Sequence, residues 1–322
     1  MDFRINDQPF IYREFLMYMQ SVKGKSISTV KEYALDLHVF FQFMKNYKQP
    51  GSVPDDLTET DISDLNYVFA DSISLVDIYA YLTYMAESRG NTAATRARKV
   101  ACLRSYFKYM SSKAGYIKDN PAKELDSPKL KQAMPKYLNL EESKELLSAV
   151  DGKNKYRDYA ILTLFLNCGL RLSELVNINL NDFKDDILIV TGKGNKERVI
   201  YLNDACLSAV KNYLRVRPND GVVDKKALFL SNRGTRISNK TVQWLVKKYI
   251  KTAGLDETKY SVHKLRHTAA TLMYKYAHTD LRTLQEILGH NQLATTQIYT
   301  HVDDEQRRNA VKNNPLSEIT EE

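Results

Sequence analysis

Apolar residues recur every three or four positions over residues 9–22, where Phe10, Ile11, Phe15, Leu16 and Met19 fall on one side before a Lys23-Gly24-Lys25 stop. That period is the signature of an amphipathic helix. A second such segment opens at Thr29, with Glu32 three positions on as a capping-box partner. It carries Val30, Tyr33, Leu37, Phe40, Phe41 and Met44 towards Tyr47. The pattern weakens over 48–71, where Pro50-Gly51 and Pro54 mark a loop with short mixed elements. It returns over 74–88 and again over 92–112, the two split by Arg89-Gly90-Asn91. The N-terminal third therefore predicts a bundle of four helices.

Asn120-Pro121, Pro128 and Pro135, with Lys123, Lys129, Lys131 and Lys136 among them, form the one Pro-rich and basic connector of the chain. Beyond it Asn139 is placed to cap a helix, with Glu142 at the third position. Helices are expected at 140–150, 156–168 and 171–178. Strand, Gly-rich turn and strand follow over 186–202, then a helix at 204–217 stopped by Pro218. Phe229-Leu230 begins a short element. Ser238 or Asn239 caps a helix to Ala253, closed by Gly254. Further helices are expected at 262–277 and 279–288, with a short one carrying Tyr299 and a helix-compatible tail at 303–311. The pattern as a whole predicts a mostly α protein with a small β-hairpin or sheet. Its domains are a helical bundle over 1–119, a linker over 120–136 and a second domain over 137–322.

Composition narrows the class. A length of 322 residues suits two domains, and 43% hydrophobic with 27% charged residues is ordinary for a soluble globular chain. The formal charge of +8 points to a polyanionic partner, nucleic acid first, because Lys and Arg bind it by releasing phosphate counterions. Much of that charge lies at 92–112, where Arg96, Arg98, Lys99, Arg104 and Lys108 stand among Val100, Leu103, Tyr106, Phe107 and Met110. Cys102, Cys168 and Cys206 are far apart in apolar helical contexts, which suits neither a disulfide framework nor a metal site and implies a reducing cytoplasm. No 18-residue apolar run and no signal-like N-terminus is present, so neither membrane insertion nor export is expected.

The candidate chemistry lies in the second half. In 261–277 a helix would place His263, Arg266 and His267 on one face, a cationic cluster beside an apolar stripe. Such a face suits a docked anion. Cys168-Gly169-Leu170-Arg171-Leu172-Ser173-Glu174-Leu175 reads as one helix ended at Gly169 and a new one opening at Arg171. In Gly192-Lys193-Gly194 the lysine sits at a hairpin tip. Three other readings fail on spacing. His263-x-x-x-His267 lacks the glutamate of a zinc protease, having Lys264 instead. Gly192-Lys193-Gly194 lacks the full P-loop spacing, and Ser173 has no His and Asp relay in its context. Trp244 and the three cysteines read as core, and His278 and His301 have no evident partner.

The ordered set Arg171, Lys193, His263-x-x-Arg266, His290 and Tyr299, with Leu288-Gly289-His290 and Ile298-Tyr299-Thr300-His301-Val302 as flanking text, resembles the tyrosine site-specific recombinases of the phage integrase family, most nearly its Xer-like branch. The resemblance implies an N-terminal core-binding (SAM-like) bundle and a C-terminal catalytic domain. These would clamp double-stranded DNA and act as a homo-tetramer, or as a hetero-tetramer with a related recombinase, on two sites. It implies cleavage and rejoining through a covalent 3'-phosphotyrosine, with neither metal nor nucleotide cofactor. Arg171 and Arg266 would clamp the phosphate, His290 would donate to the same oxygens, and Lys193 would be the acid for the leaving alkoxide. His263 would serve in proton transfer and Tyr299 as nucleophile. Glu174 would orient Arg171, and His267 would support Arg266 by packing. Arg96, Arg98, Lys99 and Arg104 on their helix, and Lys129 and Lys131 in the connector, would touch the DNA backbone. Chromosome or plasmid dimer resolution and DNA inversion are the expected roles, with a mobile-element integrase as the alternative. A silent DNA-binding regulator is disfavoured because all six residues are present, and a relaxing topoisomerase of type IB is disfavoured by the Xer-like text.

Overall fold

The computed structural model describes residues 3–50, 53–54, 56–129, 136–192, 197–277 and 279–289. The chain forms two compact units, Met1–Gln132 and Ala133–Glu322.

In the first unit α1 (Phe10–Ser21), α2 (Ile27–Tyr47), α4 (Leu75–Glu87) and α5 (Ala93–Tyr109) pack on one another, with a short α3 (Tyr67–Asp71) in the stretch of weak periodicity. Helix α2 begins two residues before the expected Thr29, because the Ser26 side chain accepts from the Thr29 amide and caps the first turn. The bundle core is aromatic: Tyr12, Phe15, Phe40, Phe41, Tyr81, Tyr106 and Phe107 are all buried, mostly edge to face. Such rings bury much apolar area but need an outlet for each hydroxyl. Tyr106 finds one by donating to the Ile11 carbonyl at 2.8 Å. Ile117, Ala122 and Leu125 are buried in the same core, so the chain stays packed on this unit past Asn120, where the proline pattern had placed the start of the linker.

In the second unit α7 (Lys155–Cys168) is buried almost all round after its polar first turn, and Ala160, Ile161, Leu162, Leu164 and Phe165 are wholly buried. A helix of that kind belongs at the centre. Packed on it are α9 (Asp204–Val216) and α11 (Val262–Tyr276), the helix that carries His263 and Arg266. Small residues on α11 let it come close: a Cβ at Gly169, just past α7, would lie 3.6 Å from the Ala269 Cβ. The remaining helices are α6 (Leu140–Ser148), α8 (Leu172–Asn177), α10 (Asn239–Thr252) and α12 (Leu281–Leu288). Asn139 caps α6 with Glu142 answering, as the sequence implied.

The strand pair of the sequence reading is a three-stranded antiparallel sheet: β1 (Phe183–Lys184), β2 (Ile187–Thr191) and β3 (Glu197–Tyr201). The added strand is only two residues long and turns into β2 through Asp185 at φ 54°, too short to leave an alternation in the sequence. Register Thr191↔Glu197 closes the hairpin on either side of the segment with Lys193. Trp244, expected in the core, is 64% exposed. The buried stripe of α10 is Val242, Leu245, Val246, Tyr249 and Ile250, and Trp244 falls outside that stripe with the Lys248 ammonium over its ring.

Candidate active site

Three separate pieces of chain meet at the C-terminal end of α7. Gly169 ends that helix with φ 58°, a conformation glycine adopts without penalty. A Cβ there would meet Leu288 Cδ2 at 2.8 Å. The chain then turns into α8 with Arg171 at the N-cap position. The Arg171 amide donates to Glu174 Oε2 at 2.8 Å, and its guanidinium Nη1 donates to Glu174 Oε1 at 2.6 Å. Arg171 Nη2 reaches the Gly289 carbonyl at 2.7 Å, next to His290 in sequence.

Arg266 arrives from α11 and is 3% exposed. Its Nη1 donates to the Gly169 carbonyl and its Nη2 to the Leu288 carbonyl, each at 2.5 Å. The same Nη1 lies 4.0 Å from Glu174 Oε2. One buried carboxylate therefore binds Arg171 directly and stands 4.0 Å from Arg266, the two arginines that the sequence singled out. Burial alone would raise the Glu174 pKa, but hydrogen bonds and charge from Arg198, then Arg171, outweigh it and hold the carboxyl below its ordinary value. Glu174 stays ionised at neutral pH.

His263 sits one turn before Arg266. With Arg171 and Arg266 it lines a cleft of about 660 Å³, which Gln243 and Lys247 of α10 and Tyr260 also border. Its imidazole is pushed below its ordinary value, first by burial and then by the positive charges of Arg266, Lys264 and Arg171. His267 packs edge-on against it, with ring centroids 4.8 Å apart. Burial and then His263 depress His267 to about 4, so it is neutral at physiological pH. A neutral imidazole can accept or donate a proton at such a site. Arg171, Glu174, His263, Arg266 and His267 thus come together in one unit. Lys193, His290, Tyr299 and the connector residue Lys131 lie outside the described residues.

The candidate DNA contacts in the first unit are less uniform than their sequence suggested. Lys99 is 6% exposed, and its ammonium lies 2.8 Å from Asp36 Oδ1, itself buried. It is an internal countercharge and has no path to a phosphate; this corrects the expectation for that residue. Its position on α5 next to the buried Val100 turns it inward, which the helical count did not separate from its exposed neighbours. Arg98 also pairs with Asp36 and lies 3.5 Å from Glu32, yet remains half-exposed. Arg96 donates to the Asn91 carbonyl at 2.5 Å and Arg104 to the Leu125 carbonyl.

One residue of the site escaped the sequence reading. Arg198 of β3 donates through Nη2 to Glu174 Oε2 at 2.8 Å and through Nη1 to the Ile287 carbonyl. The available signal was strand alternation. Val199 and Tyr201 are exposed while Ile200 is buried, which puts Arg198 on the inward face where an apolar residue is the rule.

The phage integrase family matches residues 136–306, the stretch that holds Arg171, Glu174, Arg198, His263, Arg266 and His267. The chain belongs to that family, and within it to the Xer-like tyrosine recombinases, which are DNA strand-transferring enzymes. The tyrosine recombinase XerC of Caldanaerobacter subterraneus subsp. tengcongensis is 59% identical over 312 residues, covering 96% of this chain and 88% of that protein. The tyrosine recombinase XerD of Proteus mirabilis is 34% identical over 306 residues, covering 93% and 90%. Among solved structures, the XerA recombinase is 28% identical with a TM-score of 0.50, covering 94% of this chain and 96% of that one. The XerH recombinase bound to difH in a pre-cleavage complex is 24% identical with a TM-score of 0.68, covering 93% and 83%, a likeness in fold. Among the described residues no helix is long and apolar enough to cross a membrane.

Proposed function

We propose that this recombinase cuts one strand of a DNA site with Tyr299 and holds the strand as a 3'-phosphotyrosine. It then rejoins that strand to a partner duplex. Arg171 and Arg266 bind the non-bridging oxygens of the scissile phosphate, and His290 donates to the same group. Guanidiniums suit the task because they offer two parallel donors to one phosphate and never lose their charge. Lys193 protonates the departing 5' oxygen, and His263 exchanges a proton with the tyrosine. The phosphotyrosine conserves the bond energy, so the strand is resealed without a nucleotide.

The observation that carries this reading is the convergence of Arg171 and Arg266, far apart in sequence, around one ionised Glu174, with both arginines lining a cleft that His263 also lines. Double-stranded DNA is the substrate, in keeping with a charge of +8 and with the XerH relative crystallised on its difH site. Four protomers on two sites, of one kind or two, are the working assembly. Kinship with XerC and XerD favours resolution of DNA dimers over integration of a mobile element.

The test is a nicked suicide duplex carrying the native recombination site. Wild-type protein is expected to accumulate a covalent adduct resistant to denaturant, equally in EDTA. The Tyr299→Phe variant is expected to bind the duplex and form none. An adduct with the Phe variant removes the nucleophile assignment. Loss of cleavage in EDTA points instead to a metal nuclease.

A further inference from the structure

We propose that Arg198 is a positioning residue for strand cleavage, acting by neutralising Glu174 so that the charge of Arg171 and Arg266 remains available to the phosphate. The inference rests on the reading of those two arginines as the phosphate clamp.

The geometry sets the charge balance. The Glu174 side chain is fully buried, with one oxygen taken by Arg171 and the other shared by the Arg171 amide and Arg198. Arg266 stands off at 4.0 Å. Three guanidiniums surround one carboxylate, so the described cluster carries 3 − 1 = +2. Remove Arg198 and the same carboxylate is left to the two clamp arginines, for a balance of +1. A phosphodiester carries one negative charge, and its pentavalent transition state carries two. The cluster with Arg198 therefore matches the charge of the transition state rather than that of the bound substrate, the difference on which catalysis depends.

The burial of Arg198 supports this assignment. Its side chain is 12% exposed, so its partner is an internal group and not a phosphate. Its second bond, to the Ile287 carbonyl, ties β3 to the last turn of α12. Arg198 thus joins the strand that follows Lys193 to the helix end that precedes His290. Gly289 leaves the space this requires, since a Cβ there would come within 2.9 Å of Arg198 Cδ.

Single-turnover cleavage of the suicide duplex at saturating protein tests the idea, with DNA affinity measured in parallel on the full chain. Arg198→Met is expected to slow cleavage about 30- to 100-fold, near the lower end for loss of a donor to developing charge, while the dissociation constant changes by less than about threefold. Arg198→Lys is expected to keep cleavage within about tenfold. The decisive variant is Arg198→Met combined with Glu174→Gln, which returns the balance to +2. It is expected to cleave about tenfold faster than Arg198→Met alone. If the double variant is as slow as Arg198→Met or slower, the residue serves only to hold the fold and the inference fails. Full activity in Arg198→Met overturns it equally. Should Arg198→Met not fold, the Lys variant decides: a folded Arg198→Lys that has lost cleavage by more than about 100-fold contradicts a role carried by charge. These outcomes are separate from failure of the clamp reading, in which the wild-type protein itself forms no adduct.

Discussion

Arg266 donates through Nη1 to the carbonyl of Gly169, 97 residues earlier in the chain, at 2.5 Å. That bond pins the end of the most buried helix of the unit to the helix bearing His263. It makes the proposed phosphate clamp and the core a single structure. Arg266→Ala is expected to lower the unfolding free energy by about 2–6 kcal/mol, since two buried carbonyls lose their donor at about 1–3 kcal/mol each. Urea denaturation measures the change. A variant as stable as wild type that still fails to cleave would mean the side chain contributes to chemistry alone.

Gly289 joins two of the arginines through space. Its φ of 63° is left-handed, and a Cβ would lie 2.9 Å from Arg198 Cδ and 3.7 Å from Arg171 Nη1. Arg198 is tethered at its guanidinium and cannot swing clear. Gly289→Ala is expected to cost about 1–2 kcal/mol through the backbone conformation, with the contact on Arg198 adding to it. Cleavage should fall further than stability explains. Comparing adduct yield with thermal midpoint in Gly289→Ala separates the two effects, and unchanged cleavage would show that Arg198 can move without consequence.

Much of this was legible in the sequence, and the misses have physical causes. Long segments of strong 3.6-residue periodicity located the major helices, the ordered motif singled out Arg171, His263 and Arg266, and helical spacing set Glu174 beside Arg171 and His267 beside His263. Arg198 was passed over because an arginine in a strand is ordinarily a solvated one. Only its inward register, and the carboxylate of Glu174 waiting there, give it a role. Lys99 failed in the opposite sense. It stood in a row of cations, and nothing local revealed that Asp36 of α2 would bury it. Trp244 misled because large aromatics usually bury, whereas the stripe of α10 is set by Val242, Leu245, Val246 and Tyr249.

The Lys99–Asp36 pair offers a direct check on that correction. Removing one partner of a buried ion pair leaves the other uncompensated, at about 3–5 kcal/mol, and Arg98 beside Asp36 should trim the loss to about 2–4 kcal/mol by supplying a second cation. Lys99→Ala is therefore expected to unfold at a clearly lower urea concentration. While folded it should bind DNA within about twofold of wild type, with an unaltered dependence on salt. A reduced salt slope with unchanged stability would restore Lys99 to the DNA-contacting set.

The histidine pair gives the protein a pH dependence with a definite sign. Both His263 and His267 are depressed from the ordinary 6.5, chiefly by burial, and His267 reaches about 4. Above pH 7 both are neutral in folded and unfolded chains and contribute no slope. As pH falls through 6.5 the unfolded chain takes up protons that the folded one refuses, so stability declines until the folded values are reached. Glu174, held below its ordinary value, remains ionised and adds little between pH 7 and 5. The free protein is expected to lose about 1–2 kcal/mol across that window, the full linkage being reduced because His267 is partly solvated. His267→Gln should flatten the slope. Bound DNA should do the same, since a phosphate in the cleft offsets the charge that Arg266 and Arg171 impose on His263. Thermal midpoints at half-unit steps of pH, with and without the duplex, measure both effects. Parallel curves for wild type and His267→Gln would show that the pair is not the origin.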